Sequence, residues 1–293
     1  MFSIKKAMVN RYYDEQAEHL LEKVNEADAV MVGGASGMSA AAGYAWYAED
    51  PLFQKYFGRF TDRYGITGIF DGLYYHYETK EERWAFLVSI LHFVNQCEVR
   101  QPYQDLRTLL QNKDFFVVTT NQDTLFSQTF GEDKVSTIQG DWRYFQCADR
   151  CHDKIYPAME EAERLYDKIE DCRIPTNEIP KCPVCGGDME PWVRSFVFLE
   201  GQKYHEEYDK WTRFLQAHKD KKLLFLELGV GRMTPMFIQE PFWNMTYSWR
   251  KSYYITINPK DAILPKELQE RGMAIHEDIA LVLRNAVSLL ERR

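Results

Sequence analysis

Four short apolar runs, each stopped by glycine or an uncharged polar residue, constrain this chain more than any other feature. They are Ala29–Val32, Phe115–Thr119, Leu223–Leu228 and Tyr253–Ile257. Between and around them lie segments with helical spacing. Glu15–Glu26 carries Ala17, Leu20, Leu21 and Val24; Tyr103–Leu110 is a short helix; Asp278–Leu290 closes the chain as an amphipathic helix. Short buried strands alternating with helices predict an α/β fold with a Rossmann-like parallel sheet covered on both faces. Ligands of such sheets sit beyond the carboxyl ends of the strands, so the residues just after each run are the ones to inspect.

Two regions interrupt the alternation. Residues 44–100 are rich in aromatics and read as a helical module. Residues 141–195 hold two cysteine pairs and a charged middle, Glu160–Asp171, and read as a metal-binding module. The expected organisation is a discontinuous sheet domain, 1–43, 101–140 and 196–293, carrying these two modules as a smaller lobe.

At 293 residues, 45% hydrophobic and 27% charged, the chain can bury a large core. Its net charge of −8 argues against a nucleic-acid partner, which calls for a basic excess. Ala29–Ala48 is 20 uncharged residues, the length of a membrane span, but seven are Ala, four Gly and two Ser. That composition describes a small-residue turn rather than a lipid-facing helix. Met1–Asn10 lacks the apolar core of a signal peptide, so the expected compartment is the cytoplasm, with no membrane partner.

The residues after each strand form a pattern. The first run opens into Gly33-Gly34-Ala35-Ser36-Gly37-Met38-Ser39, a glycine-rich turn whose backbone N–H groups can approach a pyrophosphate. The second ends in Thr119-Thr120-Asn121-Gln122-Asp123, the third in Gly229-Val230-Gly231 with Thr234-Pro235 beyond, the fourth in Asn258-Pro259. Asn258 suits a ribose hydroxyl or a turn cap equally. Together the four ends predict a nucleotide crevice. Cys147 and Cys151, with Cys182 and Cys185, are C-x3-C and C-x2-C pairs. In a large chain of a reducing compartment they read as four thiolates of one structural zinc, a closed site with no position for water. His152 and Cys172 are spare candidates.

In this order the residues resemble the sirtuin family from about Leu20 to Leu283. Ala35–Ser39 stands for its glycine loop, Thr119–Asp123 for its Thr-Gln-Asn-Ile-Asp motif, Gln139-Gly140 for its His-Gly dipeptide, and Ile257-Asn258 for its late Ile-Asn. The departures are specific. Gln139 replaces the usual histidine, and Phe126 stands where many sirtuins have a second one. Ala45-Trp46-Tyr47-Ala48 replaces Pro-Asp-Phe-Arg, and the segment 191–196 lacks the usual Phe-Gly-Glu ending. This set is similar to the macrodomain-linked class M sirtuins, which implies a protein ADP-ribosyltransferase using NAD as co-substrate. The resemblance implies that Asn121, Asp123 and Gln139 form the catalytic group, with Asp123 on the nicotinamide carboxamide. It implies that Gly34, Ala35, Ser36, Ser39, Gly229, Thr234, Asn258 and Ile279 bind the cofactor. It further implies an acidic acceptor residue on a lipoyl-carrying, glycine cleavage system H-like protein.

The chemistry favours the transferase. Deacylation needs a base for a ribose hydroxyl, and a positioned base is worth ~10²–10⁴-fold. Glutamine cannot titrate, whereas an acceptor carboxylate is already ionised at neutral pH. The alternatives are a deacylase using another base, for which His76 and His92 are candidates, and a silent NAD or ADP-ribose binding module. A patch of Arg143, Arg150, Arg173, Lys181 and Arg194 on the cysteine module would suit an acidic partner; scattered solvated charges are the other reading.

Overall fold

The computed structural model describes residues 15–44, 46 and 49–292. The expected absence of a leader over Met1–Asn10 lies outside the described residues, as does most of Ala45–Ala48.

The central sheet is parallel and six-stranded, in the order β3-β2-β1-β7-β8-β9. Its strands are β1 (Ala29–Gly34), β2 (Asp114–Thr119), β3 (Val135–Thr137), β7 (Leu223–Leu228), β8 (Tyr253–Ile257) and β9 (Gly272–Ile275). The four expected runs are β1, β2, β7 and β8. The edge strands β3 and β9 escape a pattern search because they are short and carry polar or small residues. Alternate residues face opposite cores. Val30, Val32, Val117, Leu226 and Ile255 join one cluster, and Met31, Phe116, Val118, Phe225 and Tyr254 the other.

Helices cover both faces. On the first lie α1 (residues 15–26), α2 (Ser36–Ala41), α6 (Gln101–Leu110), α7 (Leu125–Phe130) and α11 (Ile279–Glu291). On the second lie α9 (Gln202–His218) and α10 (Gln239–Ser248). α11 starts where Asp278 accepts the Leu281 N–H at 3.1 Å, a side-chain N-cap.

Residues 44–100 are helical as expected, as α3 (Pro51–Tyr64), α4 (Ile69–Leu73) and α5 (Lys80–Asn95). Pro51 and the Asp50 cap start α3, and Gly65, in the left-handed region, ends it. Thr79 and Glu82 form a capping box at the start of α5, whose residues 84–91 are buried all round. The cysteine region holds β4 (Gly140–Cys147), β5 (Ile155–Pro157), α8 (Met159–Tyr166) and β6 (Met189–Val193), the strands pairing antiparallel as β5-β4-β6. One hydrophobic cluster runs from Val30 and Leu226 through Phe57 and Trp84 to Phe145 and Met189, so the core is continuous across the three regions. No helix among the described residues is long and apolar enough to cross a membrane.

Candidate active site and metal centre

Register brings the strand ends into one row. Gly34 pairs with both Thr119 and Leu228, and Leu228 with Ile257. The chain leaves β1 toward β2 and β3 and later returns through β7, β8 and β9 on the other side. The row therefore opens at the switch point of the sheet, where α/β folds form their crevices. The glycine loop is locked there by contact: a Cβ on Gly37 would stand 2.5 Å from the Gly229 Cα, while the Gly37 N–H donates to the Gly229 carbonyl at 3.1 Å.

Above the row lies a cavity of about 370 Å³. Ala35, Ser36, Asn121, Asp123, Gln139 and Thr234 line it, with Trp46, Phe70, Leu73 and Tyr74 as an apolar flank. Beneath it runs a buried polar chain. Thr119 Oγ1 donates to the Gly34 carbonyl at 2.9 Å and accepts the Asn121 N–H at 2.9 Å. Asn121 Nδ2 donates to Ala35 O at 3.0 Å and to Ser39 Oγ at 2.9 Å, and the Ser39 hydroxyl donates to Asp123. Asp123 also accepts the Leu125 N–H at 3.2 Å. Burial dominates over these donors and pushes the Asp123 carboxyl up to about 6.

Gln139 forms the opposite wall. Its carbonyl accepts Gln122 Nε2 at 2.8 Å and the Arg194 N–H at 2.9 Å. Its own amide nitrogen is buried and has no partner. At the wall of a crevice such a donor is free to bind a ligand or a water. Arg194 repeats the pattern: its guanidinium lies over the rings of Phe198 and Phe237, and its buried Nε has no acceptor. Arg194 lines the crevice rather than an outer patch, and Arg232 lines it too. No local signal in the sequence separates Arg194 from other arginines; its importance comes from the ring stack and from facing Gln139.

The remaining expected residues divide. Gly34 and Ser39 lie directly under the cavity. Gly229 holds the glycine loop. The Asn258 side chain caps its own turn: Oδ1 accepts the N–H groups of Lys260 and Asp261, and Nδ2 donates to Val230 O. Ile279 is buried in the core at the first turn of α11, away from the cavity lining. Phe126 packs under Gly34 and edge-on to Tyr103. No histidine is among the described residues that line the crevice. His76 is exposed beyond α4, and His92 stacks on Tyr166 with Nδ1 at 2.7 Å from Glu163.

The expected basic patch on the cysteine module is corrected by its ion pairs. Arg143 is held by Asp141 and Glu132, Arg173 by Glu82, Lys181 by Asp188 and Arg194 by Glu200. Four of the five expected residues are thus paired with carboxylates, which favours the reading of scattered charges, and Arg150, exposed at the surface, stands outside these pairs.

Cys147, Cys151, Cys182 and Cys185 converge with all four sulfurs within 4.8 Å of one another. Cys147 and Cys185 are 3.7 Å apart, as are Cys151 and Cys182. Ligands at about 2.3 Å in a tetrahedron place sulfurs roughly 3.8 Å apart, so the set fits one zinc. The Gly187 N–H points at Cys185 Sγ at 3.4 Å, and His152 Nε2 stands 3.4 Å from Cys182 Sγ, supporting the ligands from outside. Cys172 lies elsewhere, directed at the Arg59 carbonyl.

Asn121 is the junction of the buried chain. Asn121→Ala is expected to abolish turnover at the crevice while the protein still folds. The loss of its two donor bonds should lower stability by about 1–3 kcal/mol. A variant with full turnover would remove Asn121 from the site.

No family model matches the chain. A protein ADP-ribosyltransferase from Staphylococcus aureus strain Mu50 is 32% identical over 278 residues, covering 93% of this chain and 87% of the relative. A probable bifunctional ADP-ribose hydrolase/ADP-ribosyltransferase from Fusarium oxysporum f. sp. cubense is 29% identical over 266 residues, covering 86% of this chain and 44% of that longer protein. Among solved structures, a Sir2 bound to a propionylated peptide superposes with TM-score 0.61 at 17% identity, covering 94% of this chain and 99% of the other. A Sir2 with a p53 peptide and NAD+ gives TM-score 0.56 at 16% identity, covering 94% and 98%. At these identities the structural likeness speaks to the fold alone.

Proposed function

Because the chain belongs to the sirtuin-like protein ADP-ribosyltransferases, we propose that it transfers ADP-ribose from NAD+ to a carboxylate of an acceptor protein and releases nicotinamide. The observation that carries this reading is the crevice lining: a buried acid, an unpartnered amide and two arginines, with no histidine among the described residues.

The bond between ribose C1′ and the nicotinamide nitrogen breaks, and its electron pair leaves with nicotinamide. A lone pair of the acceptor carboxylate forms the new C1′–O bond. No proton is transferred, so no general base is required. In this reading Asp123 accepts from the nicotinamide amide, and the Gln139 amide donates to a ribose hydroxyl. Asn121 and Ser39 hold Asp123 in place, and Ala35, Ser36 and Thr234 meet the phosphate side. Gly34 and Gly229 let the backbone come close to it. Asn258 and Ile279 are proposed to contribute near the adenosine end through backbone and shape, since the Asn258 amide is engaged in its turn. The three-part organisation of the chain serves this by placing the sheet, the helical flank and the cysteine module around one crevice. Arg194 and Arg232 line the crevice that an incoming carboxylate enters, each already paired on one side, with Glu200 and Asp261, and each keeping further guanidinium N–H donors. An acidic residue on a lipoyl-carrying, H-like protein is the acceptor the family resemblance favours, in a cytoplasmic setting.

The test is product analysis with labelled NAD+. Label on an acceptor protein supports the proposal, acyl-ADP-ribose from acetyl-lysine peptides supports a deacylase, and no cleavage supports a binding module. Gln139→Ala should lower labelling by roughly threefold to tenfold, the worth of one neutral hydrogen bond. A loss of ~10²–10⁴-fold would exceed the worth of one neutral hydrogen bond and overturn a role limited to holding a ribose hydroxyl.

A further inference from the structure

We infer that Gln122 is the positioning residue that aims the Gln139 amide at the ribose; this rests on the site reading above. Gln122 stands between Asn121 and Asp123, and its side chain reaches across the crevice to donate to the Gln139 carbonyl at 2.8 Å. The same carbonyl accepts the Arg194 N–H at 2.9 Å, so one oxygen is held from two sides. The Gln139 amide nitrogen has no partner of its own, so the position of the backbone that carries it and the packing around the side chain set where it lies.

That backbone is held on its other sides by the Ile138 N–H on the Thr119 carbonyl at 3.2 Å and by the pairing of Gly140 with Val193, and the Gln122 bond is the side-chain tie from the strand end that carries Asp123. Gly140 has φ +87° and lies so close to strand β6 that a Cβ would stand 2.1 Å from the Trp192 carbonyl. The pairing of β4 with β6 shifts register between Gly140 and Phe145, so the ladder does not run evenly up to Gln139. The tie from Gln122 therefore couples the spacing between Asp123 and Gln139, the two groups that must grip opposite sides of the bond being broken. A shift of about 1 Å in such a pair is enough to lower a rate substantially.

Gln122→Leu removes the donor with little change in volume. Transfer turnover should fall by roughly threefold to tenfold, with the Michaelis constant for NAD+ and the melting temperature essentially unchanged. The deciding measurement is a double-mutant cycle with Gln139→Ala. If Gln122 acts through the Gln139 amide, Gln122→Leu has no further effect once that amide is gone. Additive losses, or wild-type turnover in Gln122→Leu, overturn the inference. If Gln139→Ala alone keeps full activity, the site reading falls and this inference with it. Should Gln122→Leu fold poorly, Gln122→Met, also apolar and without a donor, enters the same cycle and is read in the same way.

Discussion

Asp123→Asn should make the protein more stable and much less active. Asp123 is fully buried, and its carboxyl is held near 6 against an ordinary 3.8. Between those two values the native state binds more protons than the unfolded chain, so stability falls as pH rises from 4 to 6. Above 6 the cost of the buried charge is complete, about 3 kcal/mol for a shift of roughly two units. Asparagine removes the charge and keeps one oxygen for the Leu125 N–H, while its NH2 stands where the second carboxylate oxygen accepted from Ser39 and donates to the Ser39 Oγ instead. The variant is therefore expected to gain about 1–3 kcal/mol at pH 7.5, a gain that shrinks toward zero near pH 4. Turnover should drop by roughly 10- to 100-fold, since a hydrogen bond to a charged acceptor is lost. Chemical denaturation across pH, paired with nicotinamide release, checks both halves. A destabilised variant with unchanged turnover would show that Asp123 serves the fold and not the reaction. The wild type should also lose turnover as pH falls through 6, where Asp123 takes up a proton.

Removing zinc should have the largest effect on stability. Structural zinc contributes on the order of 10 kcal/mol or more to the folding of small domains. The metal ties the end of β4 to the turn before β6, and the cluster around Cys147 and Met189 is continuous with the core of the main sheet. Cys182→Ser is therefore expected to purify with less than one zinc per chain and to melt far below the wild type. Amide exchange should rise first along β4, whose opposite end begins next to Gln139. Turnover should fall with it, although a four-thiolate site takes no part in the chemistry. A metal-free protein with wild-type melting and exchange would overturn the assignment.

Much of this was legible in the amino-acid order, and the reasons are local. Apolar runs such as Leu223–Leu228 are strands because consecutive residues must be buried on both faces. Glu15–Glu26 is a helix because its apolar residues recur on one face. Two close cysteine pairs read as one thiolate cluster because a spacing of two or three residues lets both thiols of a pair reach the same ion. The edge strands β3 and β9 were not legible, because three or four residues with mixed polarity become strands only when a neighbour offers hydrogen bonds.

The sequence by itself determined the sheet's central strands, the polar and glycine residues at their ends, and the absence of histidine at position 139. Tertiary structure alone decided that these ends lie in one row, since register depends on how distant segments pack. It decided that Asp123 is protonated more readily than a free carboxylate, because burial sets that property and burial belongs to the fold. It also separated arginines that look alike in the chain. Arg143 and Arg173 are paired with carboxylates, while Arg194, paired with Glu200, also lies over aromatic rings at the crevice and keeps a buried Nε without an acceptor. Charge is a property of a residue, but the partner that cancels or directs it is supplied by residues far away in sequence.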